Sequence, residues 1–400
     1  MSSLLRVPVP LLLFIGALFL QGCSDDGISH EKDVCGNGIV EHYEECDDGN
    51  DDPNDGCHQC RLWEPPSGEP FTLASEGTWE WYPVDDAICR DGSPAGLAIN
   101  VGADLSKVMV FFEGGGACFE ALNCAANPYN ITEGRRFPPS SGIFDRHNER
   151  NPYRDWTFVH LPYCTGDVFA GRTRNVVVKH LAGEQQFVGD FNMRLFLDRL
   201  VPTLPDVKKL SLVGISAGGM SAVVNTKRLA REFPDAEVTV LDDGGPPLST
   251  KVVPACLQEW WTELWELDQS VLADCGAGCP TSGELLLPLT KDLVKTNEKI
   301  DFGLFSFRQD ATVRLLFSFG QNNCGMLPIP FLSGETLEAG LIEFREEMRA
   351  LNDRTATYFA PGESHVCVTS NCFYTTYVDG VGLAEWTGDL LDRKTSHVGD

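Results

Sequence analysis

Basic residues are scarce in this 400-residue chain: 31 Lys and Arg stand against 58 Asp and Glu, a formal net charge of −27 at pH 7. Affinity for DNA or RNA comes mainly from neutralising phosphates with Lys and Arg, so nucleic acid is excluded as a partner. A long hydrophobic run is also missing. The apolar stretch from Val7 to Leu20 is shorter than the ~20 residues a helix needs to cross a bilayer. The cysteines do not repeat the paired CxxC spacing of zinc ligands, so no metal site is expected from them. The glycine run Gly114, Gly115, Gly116 is not followed by the GK[ST] of a phosphate-cradling loop. Histidine is sparse where it would matter, with only His365 and His397 downstream of residue 216.

What the chain does contain is LSLVGISAGGM, Leu210 to Met220, an apolar run leading into GxSxG and then a helical pattern (Ala222, Val223, Leu229, Phe233). A serine on a tight strand-to-helix turn needs small neighbours that tolerate the strained backbone, and Gly214 and Gly218 supply them. An ordinary glycine-rich loop is the alternative, but the strand before and the helix after favour a nucleophile turn. Ser216 is the candidate nucleophile. Its hydroxyl is weak until a base removes the proton and a third group orients that base. In sheets of this type the order is serine, acid, histidine. His365 follows the candidate strand TATYFA, whereas His397 lies near the C-terminus, so His365 is the candidate base. Asp310 closes the strand before it and is the preferred acid. Asp242 and Asp243 are rivals, and Asp243 is otherwise expected to be structural or to line the pocket. Gly115 and Gly116, leaving the strand KVMVFF, and the N–H of Ala217 are the candidate oxyanion donors.

The N-terminal 23 residues read as a signal peptide, with Arg6, a short apolar core and Leu20, Gln21, Gly22, Cys23, which resembles a bacterial lipobox. Cys23 is then the acylated residue, giving export and a lipid anchor at the bacterial cell envelope, at the outer membrane; plain secretion is the alternative because Gln21 is unusual at its position. Setting Cys23 aside leaves fourteen cysteines, an even number suited to disulfides in an oxidising compartment. Near neighbours offer three pairings: Cys118 with Cys124, Cys275 with Cys279, and Cys367 with Cys372. Residues 24–62 form an acidic module with almost no aliphatic core, which must be held by disulfides or metal. Its Asp47, Asp48, Asn50, Asp52, Asn54 and Asp55 offer hard oxygen ligands for calcium, against a solvated acidic turn pinned by Cys46 and Cys57. Residues 63–70 read as a linker and residues 71–400 as one globular domain.

In that domain, candidate strands are Lys107 to Glu113, Trp156 to Leu161, Lys209 to Gly214, Glu237 to Asp242, Gly303 to Arg308 and Thr355 to Ala360. Most are apolar without alternation, which implies burial on both faces. Helical patterns at Asp190 to Leu200, Met220 to Glu232 and Leu337 to Leu351 alternate with them. The fold class is therefore α/β, an α/β-hydrolase-like, mostly parallel sheet covered by helices on both faces, with a small disulfide-rich N-terminal module. Arg135, Arg136, Arg146, Arg150, Arg154, Arg172, Arg174 and Lys179 either line a positive cleft or are scattered surface charges. Trp260, Trp261 and Trp265 belong either to a cap over the site or, for Trp261 and Trp265 preferentially, to the core.

The segments FFEGGGAC with Cys124 following, FVHLPYCTGDVFAG (Phe158 to Gly171), FVGDFN (Phe187 to Asn192), GISAGG and SHVC (Ser364 to Cys367) resemble, in the same order, the pectin acetylesterase family, which includes Notum-type carboxylesterases. Cys35 to Cys60 resembles a short cysteine-rich repeat of secreted bacterial proteins. The family resemblance implies an α/β-hydrolase variant without cofactor, Ser216, Asp310 and His365 as triad, and Gly115, Gly116 and Ala217 near the oxyanion. Ala117 stands where the family commonly has tryptophan, which opens the pocket beside the nucleophile. The expected activity is serine-esterase hydrolysis through an acyl-enzyme, with O-acetyl groups of pectin or another polysaccharide as first substrate. Longer acyl esters of lipids or lipidated proteins are the alternative, and a non-catalytic surface-binding protein is the alternative of another class. A polyanion such as pectin is repelled by the net charge unless its groove is locally basic.

Overall fold

The computed structural model describes residues 38–40, 46–47, 49, 57–58, 61–62, 66–273, 283–325 and 329–399. The chain divides into two units, residues 1–62 and 63–400. In the smaller unit, β1 (Cys57–His58) pairs antiparallel with β2 (Arg61–Leu62), and a disulfide joins Cys46 to Cys57. Asp47 accepts the N–H groups of Gly38 (2.9 Å) and Gly49 (2.8 Å). The other five members of the acidic cluster, Cys23 and the lipobox lie outside the described residues. Among the described residues no group of three acidic, His or Cys side chains could hold a metal ion.

The larger unit is built on a nine-stranded sheet. Its strands, in chain order, are β3 (Trp79–Ile88), β4 (Pro94–Asn100), β5 (Asp104–Phe112) and β6 (Trp156–Leu161), then β9 (Lys209–Ile215), β10 (Glu237–Asp243), β11 (Ile300–Phe307), β12 (Thr355–Ala360) and β15 (His397–Val398). The spatial order is β15-β12-β11-β10-β9-β5-β6-β4-β3. From β6 through β15 every neighbour is parallel, and β4 and β3 close one edge antiparallel. Two short ribbons stand apart, β7 (Thr173–Val177) with β8 (Glu184–Phe187) and β13 (Tyr377–Val378) with β14 (Val381–Gly382).

The central strands are buried at nearly every position because the sheet has a core on each face. Along β5, Val108, Val110 and Phe112 pack into one core, while Met109 and Phe111 pack into the other. This is the pattern of a parallel sheet covered on both sides. Among the described residues the α-helices are α1 (Ala121–Ala126), α2 (Gly189–Thr203), α3 (Ala217–Glu232), α4 (Ala255–Trp265), α5 (Leu286–Thr296), α6 (Ala311–Ser318), α7 (Gly334–Leu351), α8 (Cys372–Thr375) and α9 (Leu383–Leu391). No helix of the described residues is long and apolar enough to cross a membrane.

Disulfides join Cys89 to Cys164, Cys118 to Cys124, Cys256 to Cys324 and Cys367 to Cys372. Two of the three near-neighbour pairings are thus present, and the third, Cys275 with Cys279, lies outside the described residues. Trp261 and Trp265 are buried and stack with ring centres 6.0 Å apart. The Trp265 indole N–H donates to the Cys118 carbonyl (3.1 Å), so these rings are core and not the face of a cap.

Candidate active site

One residue separates the end of β9 from the start of α3, and the chain must reverse there. Ser216 does so at φ 56° and ψ −125°, a backbone that L-residues avoid. Its N–H donates to the Asp243 carbonyl (2.7 Å), and its carbonyl accepts the Gly219 N–H (2.9 Å). The flanking glycines are required by contact: a Cβ on Gly214 would overlap the Gly218 carbonyl, and one on Gly218 would overlap the Phe112 carbonyl of β5. Strand, turn and helix therefore pack backbone against backbone, holding the Ser216 side chain at the edge of a cavity.

Asp310 follows β11 and caps α6. Its Oδ1 accepts the N–H groups of Thr312 (2.9 Å) and Val313 (3.0 Å), which the first helical turn leaves unpaired. Its Oδ2 lies 2.7 Å from Nδ1 of His365, on the loop after β12. The carboxylate is fully buried and the imidazole largely so. A carboxylate that only accepts fixes the proton on Nδ1 and leaves Nε2 as an acceptor. Nε2 is buried and has no hydrogen-bond partner among the described residues. Ser216 and His365 line the same cavity.

The rival carboxylates have other surroundings. Asp242 is fully buried, with Oδ1 accepting the Gly245 N–H (2.7 Å), and burial holds its carboxyl well above the usual range. Of the two placements expected for it, Asp243 has the structural one and does not line the cavity. It is fully buried, and its Oδ2 accepts the N–H groups of Cys367 and Val368 (both 2.7 Å), tying down the loop that carries His365. Burial pushes its carboxyl up to about 7 against the opposing pull of those two N–H groups. The end of a strand that feeds the core points such a side chain inward, which strand periodicity alone does not disclose.

The glycine loop leaves β5 beside the serine turn. Glu113 anchors its start by accepting the Tyr163 N–H (2.8 Å) and pairing with the Arg135 guanidinium. A Cβ on Gly114 would overlap the Ile215 carbonyl, and Gly116 sits at φ 77°. The N–H groups of Gly115, Gly116 and Ala217 find no acceptor among the described residues. For Ala217 the reason is its place at the first turn of α3, where no intrahelical acceptor exists. Free N–H groups beside a helix N-terminus are suited to a developing negative charge.

The cavity holds about 630 Å³. Its walls are Leu122 and Ala126 from α1, Met220 from α3, Val313, Leu315, Leu316 and Phe317 from α6, and Phe319, Ile215 and Val366, with Ala117 beside the glycine loop. Neither α1 nor α6 leaves a long periodicity in the sequence, since each is only one or two turns. Asn123, Asn127 and Thr312 are the polar side chains added to Ser216 and His365. None of the eight cations from Arg135 to Lys179 lines it. Arg146 is spent on Asn100 and lies over the Phe158 ring, Arg150 donates to the Tyr374 carbonyl, and Arg172 faces the buried Asp190. The positive cleft is therefore replaced by dispersed structural contacts.

Comparison with known proteins agrees with this architecture. Residues 81–276 match the family model Pectinacetylesterase, and residues 23–61 match a domain of unknown function, DUF4215. Palmitoleoyl-protein carboxylesterase notum1' of Xenopus laevis is 31% identical over 194 residues, 45% of this chain and 37% of its own. Palmitoleoyl-protein carboxylesterase NOTUM of Homo sapiens is 31% identical over 178 residues, 41% of this chain and 35% of its own. The chain thus spans about a third of the length of these curated relatives. The crystal structure of the Wnt deacylase Notum from Drosophila superposes with a TM-score of 0.60 at 21% identity, over 80% of this chain and 95% of that one, which establishes the shared fold. The glycine loop, the serine turn and the strands that carry them all lie inside the segment, residues 81–276, that matches the pectinacetylesterase family.

Proposed function

We propose that the larger unit is a serine carboxylesterase in which Ser216, His365 and Asp310 act together and the acyl chain of the substrate occupies the 630 Å³ cavity. Ser216 Oγ attacks the ester carbonyl as His365 Nε2 takes its proton. The oxyanion is met by the N–H groups of Gly115, Gly116 and Ala217. Collapse expels the alcohol, protonated by His365, and leaves an acyl-enzyme. Water deprotonated by His365 then attacks the acyl carbonyl, and the free acid departs as Ser216 regains its proton. Asp310 orients the imidazole and stabilises its protonated form. The observation that carries this reading is the 2.7 Å contact from Asp310 Oδ2 to His365 Nδ1, with Ser216 on the same cavity wall.

The lining favours an acyl chain longer than acetyl. An acetyl methyl would leave most of an apolar space of this size empty, whereas each buried CH₂ contributes ~0.8 kcal/mol. The names of the relatives point the same way, since they are palmitoleoyl-protein carboxylesterases. No cation from residues 135–179 lines the cavity to hold a polyuronate, which weakens the pectin reading. The disulfides fit an exported protein, and attachment through an acylated Cys23 belongs to the same proposal. The test is hydrolysis of 4-nitrophenyl esters from acetate to octanoate, with acetate release from acetylated pectin alongside and Ser216→Ala as control. Rising kcat/KM with chain length, abolished in the control, supports the reading. A preference for acetate with release from pectin returns the substrate to acetylated polysaccharide, and turnover that survives in Ser216→Ala removes the mechanism.

A further inference from the structure

We propose that Asn127 is a positioning residue that aims the Gly116 N–H at the developing oxyanion, and that buried Arg90 holds Asn127 in place for this task. The proposal rests on the esterase reading above. Asn127 is 3% exposed, and its Nδ2 donates to the Gly115 carbonyl at 2.8 Å. That carbonyl belongs to the same planar trans peptide as the Gly116 N–H, and the two groups point in opposite directions. Fixing the carbonyl against Asn127 therefore turns the N–H the other way. Gly116 lines the cavity, a Cβ added to it would meet nothing within 4 Å, and its N–H has no acceptor among the described residues. A glycine peptide has little of its own to prevent rotation, so an outside group must set its plane.

The orientation of the Asn127 amide is itself determined. The Gly115 carbonyl can only accept, so the amide nitrogen must face it, and Oδ1 is turned toward Gly166, buried and without a hydrogen-bond partner among the described residues. The Asn127 backbone is held by Arg90, which is 2% exposed. The Arg90 Nη2 donates to the carbonyls of Asn127 (3.0 Å) and Cys124 (2.8 Å), and Nη1 to Gln185 Oε1 (2.7 Å). The Cys118–Cys124 disulfide closes the same loop. Both ends of the segment between the glycines and Asn127 are thus pinned, and the hydrogen bond to Gly115 transmits that rigidity to the donor.

The experiment uses the full chain with Asn127→Ala and the near-isosteric Asn127→Asp, which lacks the amide donor. Competent enzyme is counted by stoichiometric fluorophosphonate labelling of Ser216, so misfolded protein does not enter the rates. Misaiming one of several donors costs less than deleting it, so kcat per labelled site should fall ~10- to 100-fold in both variants, with KM within about 3-fold of the parent. Affinity for a trifluoromethyl ketone, whose serine adduct carries the same oxyanion, should fall by a similar factor. Arg90→Lys should move both quantities in the same direction by less. Unchanged kcat in both Asn127 variants overturns the proposal, as does a fall in kcat with unchanged ketone affinity, which would mark a merely structural role. Activity surviving in Ser216→Ala would instead overturn the esterase reading, whatever Asn127 does.

Discussion

Ala126 stands at the exposed end of α1, one turn after Leu122, and both line the cavity. Ala126→Trp places a large ring at the mouth without overpacking the core, because the position is exposed in the free enzyme. For the parent, each CH₂ that enters contributes ~0.8 kcal/mol, and ~1.4 kcal/mol is one decade. Extending 4-nitrophenyl butyrate to octanoate adds four such groups, or about 3 kcal/mol and at most roughly 200-fold in kcat/KM. Leu122 is 68% and Leu315 55% exposed, so part of the chain stays near water and a gain of about 10- to 50-fold is the working expectation. In Ala126→Trp the gain should shrink to a few-fold, while kcat/KM for the acetate ester changes little. The assay is initial rates below the micellar concentration of each ester. A parent profile that is flat or falls from acetate, or an Ala126→Trp profile as steep as the parent, refutes the assignment of this cavity to the acyl chain.

Three further outcomes are expected. Asp310→Asn keeps an oxygen for the N–H groups of Thr312 and Val313 but loses the acceptor that fixes His365, so kcat should fall roughly 10³-fold or more with only a small change in Tm; equal activity at pH 8 would contradict the assigned acid. Gly218→Ala drives a methyl into the Phe112 carbonyl and should abolish activity while costing at least ~1 to 3 kcal/mol in urea denaturation; an active, stable variant would show that the turn is not held as described. His160 is fully buried between aromatic rings, and burial lowers its pKa from 6.5 to about 3. The unfolded chain binds that proton below pH 6.5 and the folded chain does not, so stability is lost as pH falls from 6.5 toward 3, with a ceiling of about 5 kcal/mol. His160→Phe should flatten this dependence, and Tm curves that stay parallel from pH 7 to pH 4 would refute the sign.

The sequence determined this protein wherever the cause is local. GISAGG demands a strained serine between small residues, unalternating apolar strands demand cover on both faces, and short loops such as Cys118 to Cys124 and Cys367 to Cys372 bring their own ends together. The chain order of Ser216, Asp310 and His365 was legible for the same reason, because each follows a strand of one parallel sheet. The antiparallel edge was not: β3 carries Pro83 and half-exposed positions, which weaken the strand pattern that an edge tolerates. Nor were the Cys89–Cys164 and Cys256–Cys324 bridges, 75 and 68 residues apart, legible from spacing. The inward turn of Asp243, the clamp of Asn127 on Gly115 and the cavity walls from α1 and α6 exist only after packing. Their partners come from distant segments, and a contact between such segments is selected by the shape of the folded core rather than by any pattern along the chain.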